Sequence, residues 1–535
     1  MKDVTRMAVT GAMFLCLTLG WAWGHLGGAL LGLVVGSGAL LLPWRGQPMW
    51  RWTAHYIRLR RPIALTAPVT VTNDRSGGGI RYQDGIAVAA VQLLGKPHRT
   101  TLFTGSMTSE TNDVIDVSSI LPMLRQSLGL AIESVSVITT GARRRSTGDY
   151  PRVYDTLLGS APYAGRRETW LVVRIQSLGN GDALRCRPSV GTAALAAAQR
   201  MASALRCQGI RARVATATDI IELDRRLGSS ALGRHGRRWH TLRGDAGWLT
   251  TYAYRPANVS TEVLAQAWSL KVDSIVQNVT VFADGTCCAA VTVRSSQPLT
   301  ASPIVALRSL PGEQAHALAN NLCGPRREVH GQNRGALPVA LHLPVGPSGI
   351  LLGKAPGGGR LLLPLSDPGE ASRVRLVADD AIVKRIVIRA AAAGERITLH
   401  TNDIDRWDSV RMPHVMVTDQ PRPAPGTTLS VTDGTVSPTP RPATVIEVAE
   451  SGTGCDGADV SIVQTGPATV EIRAAGEIHE VEVEHFRAEN RYASGGAADH
   501  DPGELEVAGE LEVAGELEVA GELEVAGALE MAGER

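Results

Sequence analysis

One long stretch of this chain lacks charge altogether. Met7 to Trp44 holds no Asp, Glu, Lys or Arg in 38 residues, and Arg6 and Arg45 close it on either side. Such a run excludes an ordinary solvated surface for these residues. Its length is about twice the ~20 apolar residues that cross a bilayer core. The stretch also lacks a small-x-small cleavage site. Trp21 and Trp23 stand where small residues would be needed, which argues against a secretory signal peptide with Lys2 and Arg6 as its n-region. The chain as a whole lacks the usual catalytic signatures. Its seven scattered cysteines include no C-x-x-C and form no disulfide framework, in keeping with a reducing compartment. Its thirteen histidines show no metal-ligand spacing such as H-E-x-x-H.

Within the uncharged stretch, Trp23-Gly24-His25-Leu26-Gly27-Gly28 can turn a helix back on itself. Two antiparallel membrane spans are therefore expected, at about 7–23 and 27–44. Seven glycines from Gly20 to Gly38 argue against one long tilted helix. Gly28, Gly32 and Gly36 form a double G-x-x-x-G, whose small residues permit close helix packing, here expected against a neighbouring subunit. Arg45, Arg51, Arg58, Arg60 and Arg61 follow the second span, with no acid before Asp74. Basic flanks stay cytoplasmic, so both ends of the hairpin should face the cytoplasm. From Met49 to Arg61, Met49, Trp52, Tyr56 and Leu59 share one helical face, with Arg51, His55 and Arg58 opposite. That pattern suits a helix lying on an anionic membrane surface, or a plain extension of the second span. Arg45, Trp50, Arg51, Trp52 and Arg58 are the candidate membrane-interface residues.

The formal charge of +2 hides an asymmetry. Asp499 to Arg535 carries twelve acids and one arginine, a net of −11, which leaves +13 for the remainder. The tail repeats GELEVA four times from Gly503 and then reads GALEMA. Leucines six apart share no helical face, so a solvated, disordered acidic tail is expected. Arg143-Arg144-Arg145 and the run from Arg234 to His240 are expected in solvated loops, with lipid headgroups or an acidic partner as the functional alternatives. No nucleic-acid motif accompanies them.

Between these ends the pattern is mixed. Residues 63–79 read as a Gly-rich linker. Ile80–Leu94 alternates around Asp84-Gly85, and Val117–Leu128 has helical spacing. TWLVVRI at Thr169–Ile175 is a strong β run, Thr192–Arg206 is alanine-rich and helical, and Asp219–Leu227 is a short helix with Thr218 as its expected N-cap. Ser260 opens another helix, and a hairpin is expected around Asp284-Gly285. The expected layout is an α/β domain over 80–296, a linker over 297–334 with a helix near Pro311–Leu322, and a smaller α/β unit over 335–418. A Pro-rich linker over 419–443, a β-rich segment over 444–490 and the tail over 491–535 complete it. In the smaller unit, Val374–Val377, Asp380–Ala393 and Arg396–Thr401 read as strand, helix, strand, ended by Gly394.

Two features resemble sites. Asp403-Ile404-Asp405 is an Asp-x-Asp, able to hold a divalent cation against a sugar-nucleotide diphosphate. A membrane-anchored glycosyltransferase-like enzyme using Asp403 and Asp405 is thus the alternative reading. Gly353 to Arg360 is Gly-rich but lacks the phosphate-loop spacing, since Ala355 stands where Ser or Thr would bind magnesium. No catalytic, cofactor or metal residue is assigned.

Several stretches together resemble one family, the EccE subunits of actinobacterial type VII (ESX) secretion systems. They are the double span with its arginine-rich exit, Arg166-Arg167-Glu168-Thr169-Trp170-Leu171-Val172-Val173-Arg174, and Trp239 through Trp248–Tyr254 to Asn258-Val-Ser-Thr-Glu262-Val-Leu264. Gly349-x-Leu-Leu-Gly353 with Leu362-Leu-Pro-Leu365-x-Asp367-Pro368 completes the set, which covers about residues 1–410. The resemblance implies a non-catalytic structural subunit of an inner-membrane complex. Its implied partners are EccB, EccD and the FtsK-like ATPase EccC, with a mycosin-type protease associated. It implies no cofactor, and the GELEVA tail is not part of it.

Overall fold

The computed structural model of the protein describes residues 2–41, 43–44, 47–48 and 62–493, except 74–75, 106, 186, 234–235, 300, 441 and 450–456. Arg45, Trp50, Arg51, Trp52, Arg58, the expected interfacial helix and the GELEVA tail lie outside these residues.

One helical element, Lys2–Leu41, opens the chain. Within it Thr10–Gly38 is long and apolar enough to cross a membrane. Its side chains stay outside the folded domains: Trp23 is 97 % exposed and Leu31 68 %. The backbone breaks inside the element, at Gly24 (φ −152°, ψ 27°) and His25 (φ 47°, ψ −129°). The helix ends at Leu41, short of the expected Trp44. A residue preceding proline is pushed out of the α region and proline donates no backbone bond. Pro43–Trp44 pairs instead with Gln47–Pro48.

A 12-stranded sheet follows. Its main path runs Leu242–Gly244, Gly247–Tyr254, Thr286–Ser295, Ser274–Phe282, Ser134–Ala142, Arg166–Gln176, Ile86–Leu94, Gly77–Gln83 and Val69–Thr72, all antiparallel. Its centre is covered on both faces, so its strands are apolar almost without interruption. Ala87, Ala89, Val91, Leu93, Leu171, Val173 and Ile175 pack into the cluster beneath the helix Val190–Cys207. Val88, Ala90, Trp170 and Val172 point the other way, toward the helix Ala217–Leu227. The period-2 geometry of a strand divides the residues in this way.

Local capping accounts for the helix positions. Ser189 and Thr192 form a capping box for Val190–Cys207. Thr216 and Asp219 form the equivalent box for Ala217–Leu227, so Thr216 rather than Thr218 is the N-cap and the helix starts two residues early. A carboxylate at the third helical position can reach back to the cap's N–H, and Thr216 is the residue three before Asp219. Ser260 caps Thr261–Gln266 as its sequence suggests. Asp84 (φ 53°) and Gly85 (φ 76°) supply the left-handed pair that a tight two-residue hairpin requires. Val117–Leu124 winds as a 3₁₀ helix around Pro122 rather than as an α-helix.

The second 12-stranded sheet changes character along its width. Val415–Thr418, Ile397–His400, Leu429–Thr432, Thr444–Val448, Ser372–Val377 and Val460–Gln464 run parallel in that order. Thr469–Ala474, Glu477–Val483, Ile350–Lys354, Arg360–Leu363, Thr101–Phe103 and Ser109–Thr111 continue it antiparallel. The stretches expected as a smaller α/β unit and a separate β-rich segment thus form one sheet across the Pro-rich linker. Thr101–Phe103 and Ser109–Thr111 come from the early part of the stretch expected to form the first domain. The helix Tyr150–Leu158, from the same stretch, puts Tyr150, Tyr154 and Leu158 into the core around the buried helix Asp380–Ala393.

The expected linker over 297–334 is a buried strap over most of 310–325. Its helix Gln314–Ala319 and the turn after it are inside, with Leu318, Leu322 and Cys323 fully buried. The Arg174 guanidinium, also fully buried, donates to the carbonyls of Asn320, Leu322 and Gly324 at the end of this strap and to Ser136 Oγ. Burial pushes Arg174 down to about 10.

Candidate functional site

The residues that set this chain apart are those of the apolar element. Gly20, Gly28, Gly32 and Gly36 lie along one contact line. A Cβ on Gly20 would stand 2.2 Å from the Gly28 carbonyl oxygen, and one on Gly32 would stand 2.4 Å from that of Cys16. A Cβ on Gly36 would lie 2.8 Å from Cys16 Cβ. Residues twenty apart in a continuous helix would be about 30 Å apart. The break at Gly24 and His25 therefore folds one arm back against the other. The structure places Gly28, Gly32 and Gly36 against this chain's own first arm, with backbone touching backbone at Gly28 and Gly32 and the Cys16 side chain against Gly36. Gly11, Gly24 and Gly27 meet nothing within 4 Å. The outward face carries Phe14, Leu15, Leu19, Leu30, Leu31 and Val34, all more than half exposed.

Asp403 and Asp405 sit after the strand Ile397–His400. Asp403 Oδ1 accepts from the Arg406 N–H at 3.2 Å, in the first turn of the 3₁₀ helix Asp405–Val410, while Asp405 is exposed. Nearby, an open cleft of about 790 Å³ lies at the carboxyl ends of the parallel strands, lined by Arg375, Asp379, Arg406, Asp433, Glu447 and Gln464. Such ends are where open α/β sheets hold ligands. Most of its polar groups serve the fold. Arg406 grips Asp380 and holds that carboxyl below the usual range. Asp379 and Gln464 bond each other at 2.7 and 2.8 Å. Burial pushes Asp433 up, but hydrogen bonds from Thr401 and Thr435 outweigh it and hold the carboxyl low. Among the described residues no group of three His, Cys, Asp or Glu is placed to hold a metal ion. Asp403→Ala should cost about 1 kcal/mol as a lost hydrogen bond to the Arg406 N–H and Asp405→Ala less than about 0.5. Chemical denaturation of the two variants measures both.

Sequence reasoning missed the buried arginines. Arg143, expected in a solvated loop, is fully buried and donates to Asp155 at 2.7 Å and to the carbonyls of Gly159, Ala161 and Trp268. Arg167 stacks on the Trp268 ring at 4.6 Å. Arg211 forks onto Asp367 at 2.6 and 2.8 Å, joining the edge of the first sheet to a loop of the second. Burial pushes Asp367 up, but Arg211 and the Gly369 N–H prevail and hold it below the usual carboxylate range. A lowered folded value stabilises above the unfolded carboxyl pKa of about 3.9 and is lost as pH falls through the folded value. Asp367→Asn should therefore cost about 2 kcal/mol at pH 7 and flatten the loss of stability below about pH 4. Unfolding midpoints from pH 3 to 7 read this out.

An exposed, glycine-seamed apolar element carrying a large sheet-rich body points to a membrane-associated protein. The family model of EccE, the type VII ESX secretion system translocon protein, matches residues 163–254, from the strand Arg166–Gln176 to the strand Gly247–Tyr254. ESX-2 secretion system protein EccE2 of Mycobacterium tuberculosis (strain CDC 1551 / Oshkosh) is 50% identical over 517 residues, covering 92% of this chain and 96% of that protein. ESX-1 secretion system protein EccE1 of Mycobacterium tuberculosis (strain ATCC 25618 / H37Rv) is 23% identical over 401 residues, 70% of this chain and 77% of its own length. ESX-5 secretion system protein EccE5 of Mycobacterium marinum is 26% identical over 180 residues, 32% of this chain and 42% of its own. The chain belongs to the EccE family of type VII (ESX) secretion system proteins.

Proposed function

We propose that this chain is a non-catalytic structural subunit of an inner-membrane ESX secretion complex. It is anchored by its N-terminal hairpin and assembles with EccB-, EccC- and EccD-like subunits, with a mycosin-type protease associated. The carrying observation is identity to an ESX-2 EccE2 protein along nearly the whole chain. The exposed apolar element supports the membrane anchor. In this reading its two arms are two spans, and Gly28, Gly32 and Gly36 close the seam between them. Arg45, Trp50, Arg51, Trp52 and Arg58 sit at the headgroup level. The arginine-rich flanks support a cytoplasmic location for both termini and for the sheet-rich body. No observation favours the sugar-transfer alternative at Asp403 and Asp405.

The test is extraction of the tagged protein from its native membrane in mild detergent, followed by native electrophoresis and mass spectrometry. Co-migration with an FtsK-like ATPase and multi-span partners in a very large band is expected. A lone protein or small dimer, under conditions that leave the complex intact, overturns the reading. The Asp403→Ala/Asp405→Ala protein should enter the same band and leave secretion unchanged.

A further inference from the structure

The chain joins its folded body at one place on the first sheet's outer layer. The Ile63 N–H donates to the Leu232 carbonyl at 3.4 Å, and Leu65 packs over Gly324, where a Cβ would stand 2.7 Å from its Cδ2. The segments 228–243 and 320–327 therefore surround the point where the polypeptide arrives. Arginines dominate there. Arg238 stacks on the half-buried Trp248 ring at 4.4 Å and Arg243 lies over the same ring at 5.5 Å, and both arginines are exposed. Arg237 reaches back to the Leu232 carbonyl. Arg327 lies close enough for its charge to act on Arg237, and its own Nε is buried without a hydrogen-bond partner. Asp245, in the turn between Arg243 and Trp248, and Glu328, next to Arg327, are the neighbouring acids in sequence.

The tether to the apolar element is short. Thirteen residues, 49–61, lie between the pair Gln47–Pro48 and Pro62. They reach about 20 Å as a helix or about 45 Å fully extended. They include four arginines and no acid. The face around Ile63 is thus the part of the body held nearest the bilayer. Its chemistry, guanidinium groups lying over a tryptophan ring, matches an anionic headgroup layer, where cations meet phosphate and indole sits at the interface.

We propose that this face, with Arg238, Arg243, Trp248 and Arg327 at its centre, docks the sheet-rich body onto anionic lipid headgroups beside its own anchor. The proposal rests on the membrane-anchor reading above.

The test uses the full chain in nanodiscs of phosphatidylcholine alone or mixed with phosphatidylglycerol. A donor dye is attached at exposed position 240 (His240→Cys in a background with Cys16, Cys186, Cys207 and Cys455 replaced by serine), and the acceptor sits on the lipid headgroups. Energy transfer should rise with phosphatidylglycerol and fall with salt. Arg238→Gln/Arg243→Gln should weaken docking about 25-fold, about fivefold for each arginine, while the chain still enters the disc. Equal transfer in both lipids from an incorporated chain overturns the docking and leaves the anchor intact. A chain that enters neither disc removes the anchor and the proposal together. Transfer that is insensitive to lipid charge but changes when the chain is cut after Ala493 assigns the face to the acidic tail and overturns the proposal as well.

Discussion

Glu489→Ala should lower the stability of the sheet-rich body by about 3–5 kcal/mol, the range expected when one partner of a buried ion pair is removed. Glu489 is fully buried and accepts from Arg389 Nε and Nη2 at 2.8 and 2.7 Å and from Tyr150 Oη at 2.6 Å. Arg389 is only 1 % exposed, and its other donors go to the carbonyls of Leu351, Leu352 and Glu484. Without the carboxylate, a guanidinium would remain in the core with no countercharge. Burial alone would lower its pKa; the hydrogen bond and charge of Glu489 reverse that and hold it above the ordinary value. Glu489→Gln keeps an acceptor and should cost less. The same contact ties the segment around Glu489 to the folded body. A chain cut after Ala493 should unfold at the same denaturant concentration as the full protein, whereas one cut after Val483 loses Glu489 and should be severely destabilised. Urea unfolding of these four proteins beside the full-length chain tests the whole argument.

Gly28→Leu should open the hairpin and remove the protein from its complex. A Cβ at Gly28 would stand 2.1 Å from the Gly20 carbonyl oxygen, a backbone atom that no rotamer change can move away. Overpacking of a tight core costs about 1–3 kcal/mol even where side chains can yield, and here the arms themselves must part. Gly27→Leu is the internal control, since a Cβ there meets nothing within 4 Å. A direct reporter is available in Gly36→Cys, whose new thiol would face Cys16 across the seam. A disulfide needs Cβ atoms about 3.8 Å apart, so a small relaxation from the 2.8 Å contact is enough. Mild oxidation should join positions 16 and 36 within one chain, as read by peptide mass spectrometry. Adding Gly28→Leu should abolish the link and Gly27→Leu should leave it. Absence of the link in the parent variant would mean that the arms do not meet.

Elements written in local chemistry were legible before any coordinates. Asp-Gly turns marked two hairpins, Ser260 and Gly394 marked helix ends, and Asp380–Ala393 was read to its residue limits. Each depends on groups within a few positions of one another. The N-cap expected at Thr218 falls two residues earlier, at Thr216, because both carry the same hydroxyl and only the reach of Asp219 back to the Thr216 N–H at 2.9 Å separates them. The arginine clusters were the harder case. Arg143 and Arg238 look alike in sequence, each in a basic, loop-like run. Arg143 is inside because Asp155 and three carbonyls converge on it from elsewhere in the chain, while Arg238 remains outside on an indole ring.

What the sequence determined alone is what depends on composition and short range: an uncharged apolar stretch with a break at Gly24-His25, capped helices, tight hairpins and a family resemblance carried by short runs. Tertiary structure alone decided which strands share a sheet. Thr101–Phe103 pairs with Arg360–Leu363 across more than 250 residues, and Thr444–Val448 lies parallel to Ser372–Val377 beyond a Pro-rich linker. The entropy of closing a loop grows only slowly with its length, so nearness in sequence does not select such partners. They are chosen by which faces bury together and by where a buried guanidinium finds its acceptors, and both depend on the whole chain being folded.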